Sequence, residues 1–199
     1  MTERPEEFYS KGAEQFAEKY SIENMPQAYI DLLDKFAEKV GGGKVLDAGC
    51  GAGRDTEYLT EKGLKATGID LAEGMIEHAR ENKKGEYRLM DVRNLDFEEN
   101  KFEGVWCNTL IHFFPPEEMP EIIDELKRVL KPEGVPYISF KIGEGTFIRE
   151  RYGSEVKQYL IPEEKARNML KERGLEIEEV NRAEVANTTI MNFLTEARE

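Results

Sequence analysis

The sequence predicts an α/β fold in which a doubly wound, mostly parallel sheet carries helices on both faces. Three observations predict it. Short apolar runs alternate with amphipathic stretches across 44–141, which is the pattern of strand–helix–strand units and right-handed crossovers. Glycine follows most of the amphipathic stretches, at Gly63, Gly85 and Gly134, where a left-handed residue ends a helix. The last two apolar runs, 175–181 and 185–195, lie too close for a crossover helix. They must pair as a hairpin, so one strand runs against the rest.

The elements follow in order. Residues 6–20 and 25–39 read as two helices, because Phe8, Phe16 and Tyr20, then Ile30, Leu33 and Phe36, recur at helical spacing. Gly41-Gly42-Gly43 ends that pattern. Strands are expected at 44–48, 65–69, 86–90, 104–108 and 135–141, with helices at 53–62, 72–83 and 117–130. Pro116 suits a first helical turn, which needs no amide donor there. Pro136 stands at the start of the fifth strand, so the first residues of that strand are expected to be unpaired. Segment 142–162 shows no clear period, and a helix at 163–172 ends before Gly174.

Composition bounds the function. The chain has 199 residues, 39% hydrophobic and 35% charged, which fits a folded domain and not a disordered chain. No apolar run approaches the roughly 20 residues of a membrane-spanning helix. The amino terminus lacks a basic region leading into an apolar stretch, so a cytoplasmic location is expected. A net charge of −13 opposes phosphate backbones and sets nucleic acid aside as the main partner. Cys50 and Cys107 form no CxxC pair, so neither a disulfide framework nor a zinc site is expected.

The chemistry concentrates in Val45-Leu46-Asp47-Ala48-Gly49-Cys50-Gly51-Ala52-Gly53-Arg54. An apolar strand runs into alternating glycines and opens a helix, so backbone amides can approach a ligand closely. A dinucleotide fingerprint reads G-x-G-x-x-G, whereas this loop reads G-x-G-x-G with Asp47 before it. A carboxylate there suits a ligand carrying an ammonium group and is awkward beside a pyrophosphate. Asp70 ends the next strand after twenty-three residues, and Asp91 the one after that, a further twenty-one on. Ligands in such sheets sit outside the carboxyl ends of the strands, so the three acids should surround one crevice.

With Gly68-Ile69-Asp70-Leu71, Leu89-Met90-Asp91-Val92, Val105–Phe113 and Leu126–Gly134, this loop resembles the motif set of the class I S-adenosylmethionine-dependent methyltransferases. The resemblance runs from about residue 5 to the end. It implies a Rossmann-like sheet of seven strands in order 3-2-1-4-5-7-6, with strand seven (185–195) antiparallel. It implies one domain over 1–199, with capping helices in 1–40, a cofactor core at 44–141, a lid-like insertion at 142–162, and a helix and hairpin in 163–199. S-adenosyl-L-methionine is the implied cofactor and S-adenosyl-L-homocysteine the product. The implied cofactor residues are Asp47, Gly49, Cys50, Gly51, Arg54, Asp70, Leu71, Met75, Asp91, Val92 and Asn108. The resemblance implies that Asp70 takes the ribose hydroxyls and Asp91 the adenine amino group, and that Arg54 reaches the cofactor carboxylate, or is a solvated helix residue. Tyr9, Phe16 and Tyr20 match the aromatic cover of such sites, or form an ordinary core stripe.

The acceptor is less defined. His112 is the candidate general base, or a structural residue of the loop after strand four. Lys141, Arg149, Arg151, Tyr152 and Tyr159 form a basic, aromatic segment suited to an acidic small substrate, or to plain solvation. No Asn-Pro-Pro-Tyr follows strand four, which disfavours adenine methylation. A small-molecule acceptor is expected, with a protein side chain the alternative, and a monomer or homodimer. Two rivals remain: a nicotinamide-dependent oxidoreductase, suggested by Tyr137-x-x-x-Lys141, and a non-catalytic cofactor-binding scaffold.

Overall fold

The computed structural model describes residues 2–185 and 188–197. Five strands, β1 (Lys44–Ala48), β2 (Lys65–Asp70), β3 (Glu86–Leu89), β4 (Phe102–Cys107) and β5 (Leu130–Ile142), run parallel. Two long strands close the sheet, β8 (Leu175–Val185) and β9 (Thr188–Ala197). The order is β3-β2-β1-β4-β5-β9-β8, with β9 antiparallel to both neighbours. This is the expected order once a separate hairpin, β6 (Thr146–Arg151) and β7 (Ser154–Tyr159), is counted. The expected last strand, 185–195, begins later, at Thr188, and residues 186 and 187 lie outside the described residues.

Alternation along the strands divides the core. Leu46, Val105, Cys107, Ile138 and Phe140 face α6 (Met119–Val129) and α7 (Glu163–Lys171) through Ile122, Leu126 and Leu170. Val45, Ala66, Trp106 and Tyr137 face α3 (Gln27–Val40) and α4 (Arg54–Glu61) through Leu33, Phe36 and Leu59. Trp106 stacks on Tyr137 at 3.6 Å between ring centres. The remaining crossover helix is α5 (Glu73–Asn82). Cys50 and Cys107 are free and buried.

Several expectations need correction. The first helix is two, α1 (Pro5–Lys11) and α2 (Ala13–Lys19), parted at Gly12. A Cβ at Gly12 would lie 2.5 Å from the Tyr152 ring, so the hairpin packs where the helix breaks. Pro116 precedes α6 by a turn, and Pro120 occupies its first turn instead. Gly134 is not left-handed and ends no helix; α6 stops at Val129 and passes directly into β5, where Glu133 is the left-handed residue at φ 59°. Pro136 does not leave its strand unpaired, since it lies in register with Val105 of β4, while pairing with β9 begins at Tyr137. The 142–162 segment is ordered as the β6–β7 hairpin.

That hairpin and the amino-terminal helices form one cover. Glu3 pairs with Val156 of β7, Phe8 meets Tyr152 at 5.5 Å, and Arg151 hydrogen-bonds the Tyr20 hydroxyl. Gly12→Leu is expected to push Tyr152 off α1, raise amide exchange across 146–159, and cost about 1–3 kcal/mol of stability by overpacking. Unchanged exchange in that segment would show that other contacts hold the hairpin.

Candidate active site

The site forms at the carboxyl ends of β1 to β4. Gly49, Gly51 and Gly53 have φ of 77°, 52° and 86°, a region closed to most side chains. A Cβ on Gly49 would also strike Leu110 at 2.9 Å. The loop is fixed by Gly49 and Cys50 amides donating to the Ile69 carbonyl and by the Gly51 amide donating to Asp70 at 2.9 Å. Asp70 also accepts from the Ala72 amide at 2.8 Å. Each carboxylate oxygen has a second lone pair, so these bonds orient Asp70 and leave acceptor capacity.

Asp47 is 2% exposed and accepts from the Thr56 hydroxyl at 2.6 Å. Burial, reinforced by the charge of Asp55, pushes its carboxyl well above the usual range. Asp91 is half-buried and held by Arg93 at 2.6 Å. Burial raises its carboxyl, but the Arg93 guanidinium outweighs burial and the balance is downward. Leu71 and Leu89, beside Asp70 and Asp91, are two large hydrophobic side chains left exposed, at 38% and 47%. Val92 and Met75 are buried, Met75 in a small cluster with Ala13, Ala52 and Ala72.

A crevice of about 60 Å³ is lined by Phe16, Tyr20, Gly49, Cys50, Gly51, Arg54, Asp55, Asn108 and Thr109, among others. Of the residues singled out from sequence, the structure thus brings together the loop, Arg54, Asn108 and the two aromatics. Asp70 touches the loop through Gly51, while Asp91, Val92 and Leu71 lie further along. Sites for drug-sized ligands typically span about 300–1,000 Å³, and this crevice is narrower, with Phe16 on α2 and Tyr20 just after it among its walls.

Arg54 is not a solvated helix residue. It pairs with Asp55 at 2.7 Å and donates to the Tyr29 hydroxyl at 2.7 Å. Asp55, 6% exposed, also accepts from Tyr29 and from the Trp106 indole at 3.1 Å. Asn108 donates to Tyr29 at 2.8 Å. Asp55 and Tyr29 were not legible as site residues. Their one sequence signal is the Arg54-Asp55 pair following the loop. Thr109 was also missed; it is a β-branched residue held at φ 54°, its amide bonded to Ser139 at 2.6 Å, and such strain clusters at functional sites.

His112 lies in a short 3-10 turn, Ile111–Phe113, and is 3% exposed. Burial, then the charges of Lys141 and Arg149, push its imidazole well below its ordinary value. It is neutral at pH 7.

Residues 45–134 match the methyltransferase-domain family. The chain is 30% identical over 131 residues to the malonyl-[acyl-carrier protein] O-methyltransferase of Salmonella typhimurium, covering 64% of this chain and 49% of that protein. It is 32% identical over 120 residues to the ubiquinone biosynthesis O-methyltransferase of Actinobacillus pleuropneumoniae, covering 55% and 50%. The chain spans about half the length of these curated relatives. A solved protein from Pyrococcus horikoshii OT3 superposes with a TM-score of 0.70 at 25% identity over 90% of this chain and 95% of that one. A 1,6-didemethyltoxoflavin-N1-methyltransferase of Burkholderia thailandensis, solved with S-adenosylhomocysteine, shares the fold, with a TM-score of 0.70 at 20% identity over 100% and 92%. Over residues 45–134 the chain is similar to methyltransferase domains, and its fold is the one that solved S-adenosylmethionine-dependent methyltransferases share.

Two outcomes test the electrostatics. The folded-state value of Asp47 is raised, so its stabilising contribution is full below the ordinary carboxyl range and is lost as pH rises through the raised value. Asp47→Asn keeps an acceptor for Thr56, so it is expected to be more stable than wild type at pH 7 and equal to it near pH 4; thermal midpoints at both pH values check this. Asp55→Ala leaves Arg54 buried without its partner. A loss of about 3–5 kcal/mol is expected, read from urea unfolding midpoints.

Proposed function

We propose that this protein transfers the methyl group of S-adenosylmethionine to a small-molecule acceptor. The observation that carries the reading is the placement of Asp47, Asp70 and Asp91 at three successive strand ends beside a left-handed glycine loop. The residues present fit the cofactor. Asp70 has free acceptor capacity for two ribose hydroxyls. Asp91 and the Val92 amide suit the polar edge of an adenine, and the exposed Leu71 and Leu89 suit its faces. The glycine loop and Asp47 suit an ammonium group, and Arg54, next to the loop, lines the crevice together with Lys83. When bound, the cofactor supplies a methyl group already activated on a sulfonium.

The chain then has little covalent chemistry to perform. Its work is orientation and the exclusion of water. Tyr9, Phe16 and Tyr20 stack edge to face or tilted against one another at 4.7–5.5 Å, and Phe16 lies over Gly51, which shields the loop from solvent. Neutral His112 can accept a proton from an acceptor that must lose one; burial and its cationic neighbours make it a weak base, so it serves an acidic hydroxyl or a nitrogen better than an aliphatic alcohol.

The relatives named above act on malonyl-[acyl-carrier protein] and in ubiquinone biosynthesis, which supports a metabolite acceptor over a nucleic acid. The oxidoreductase reading loses its support, because Tyr137 and Lys141 lie on β5, where four residues span about 13 Å instead of one helical turn. A catalytic pair of that kind does not form.

Asp70→Ala removes two hydrogen bonds to a charged acceptor, each worth about 1.5–3 kcal/mol. Cofactor affinity is expected to fall roughly tenfold or more, measured by calorimetry. Unchanged affinity in the folded variant would contradict the assignment. Release of S-adenosylhomocysteine across a panel of small acids, phenols and amines tests turnover itself.

A further inference from the structure

Beside the crevice, behind the 3-10 turn, the hairpin presents an unusual inner face. Register pairs Phe147 with Gln158, Arg149 with Val156 and Arg151 with Ser154, and these six residues share the side turned to the domain. An inward face is ordinarily apolar; this one carries two arginines. Beneath it, Lys141 on β5 is 3% exposed and donates to the Gln158 side-chain carbonyl. Gln158 is 1% exposed, and its amide nitrogen has no hydrogen-bond partner. His112 completes the group from the 3-10 turn.

Among the described residues no carboxylate pairs with this charge; Glu3, bridged to Val156 on this face, pairs with Lys11 instead. Among the described residues Lys141, Arg149 and Arg151 form no ion pair, although eighteen ion pairs are formed elsewhere. The acidic residues of the hairpin, Glu150 and Glu155, lie opposite each other on its exposed outer face. The charges acting on Lys141 are those of Arg149 and Arg151, which, after burial, bring its ammonium down to about 7. A buried cation without a counter-charge is costly, and an orphaned buried amide donor costs a further hydrogen bond. In a protein of net charge −13, with carboxylates to spare, such a cluster has a purpose only when an anion fills it.

We propose that Lys141, Gln158, Arg149 and His112 form a subsite for an anionic oxygen group, carboxylate or phosphate, of the methyl acceptor. Lys141 and the Gln158 amide supply two short donors from below, and Arg149 supplies a fork from the hairpin. The subsite is separate from the cofactor residues and lies between His112 of the 3-10 turn and the cover, so an acceptor held there by its acid group extends toward the end of β4. The inference rests on the methyltransferase reading for the identity of the ligand, but the anion site is testable without it.

The test uses the full chain, with and without saturating S-adenosylhomocysteine. Malonate and inorganic phosphate are titrated by calorimetry, with malonamide as the uncharged control. Wild type is expected to bind at least one of the two anions saturably and malonamide not at all; the tighter of the two identifies carboxylate or phosphate as the group. Lys141→Met is expected to weaken that binding tenfold or more while S-adenosylhomocysteine affinity stays within twofold. If Lys141→Met does not fold, the half-exposed Arg149→Gln serves, with a loss of at least fivefold. Binding of neither anion, equal binding of malonamide, or anion affinity unchanged in the folded variant would overturn the proposal. Failure of S-adenosylhomocysteine to bind wild type, with anion binding intact, would instead sink the methyltransferase reading and leave the anion site standing.

Discussion

A single buried carboxylate organises the molecule. Asp55 accepts from Arg54, from the Tyr29 hydroxyl and from the Trp106 indole, so three elements meet on it: α3, the start of α4 and β4. Removing charges from water is expensive and is repaid only when geometry is good and remaining lone pairs are filled. Here they are filled, and the result is a fixed floor for the crevice. Asn108 at the end of β4 is tied to the same network through Tyr29, and Ser139 of β5 through Asn108 and Thr109. The glycine loop rests directly above.

The features that were legible in the sequence are those encoded locally. A glycine loop after an apolar strand, acids at regular strand ends and helix-to-strand periodicity need no knowledge of what lies across the sheet. Asp47, Gly49 and Gly51 fall at the end of β1 and Asp70 at the end of β2, the strand ends such reasoning named, but only the two glycines line the crevice. Asp55 and Tyr29 are twenty-six residues apart and join only through tertiary packing, so periodicity had no means of linking them. Gly12 escaped notice because the apolar spacing of Phe8 and Phe16 continues across it, while the break is caused by Tyr152, distant in sequence. The β6–β7 hairpin was hidden for a chemical reason. Its period-two pattern is present, but the inward positions are Phe147, Arg149 and Arg151, so a search for alternating apolar residues sees a charged loop.

Charge placement separates stability from function in this chain. Asp47 is raised by burial and is held by one hydroxyl, a poor arrangement for stability and a ready one for a cation. The cluster under the hairpin is the mirror case, cationic and without an acid. Elsewhere the surface is laced with ordinary pairs, such as Lys35 with Glu179 and Lys39 with Glu178, which fasten α3 to β8. Natural proteins commonly give up some stability at functional sites, and these are two places in this chain where charge is left uncompensated. The cover over that crevice is a joint product of α1, α2 and the hairpin, and the Gly74 amide of α5 donates to Ser10 of α1.

A crystal structure of the chain grown with S-adenosylhomocysteine tests the central claim most directly. The account predicts ligand density at the carboxyl ends of β1 to β3, with ribose oxygens in hydrogen-bond reach of Asp70, the adenine between Leu71 and Leu89, and the thioether directed toward the side where His112 and the hairpin stand. Density in any other place, or a ribose turned away from Asp70 with the glycine loop untouched, would contradict it.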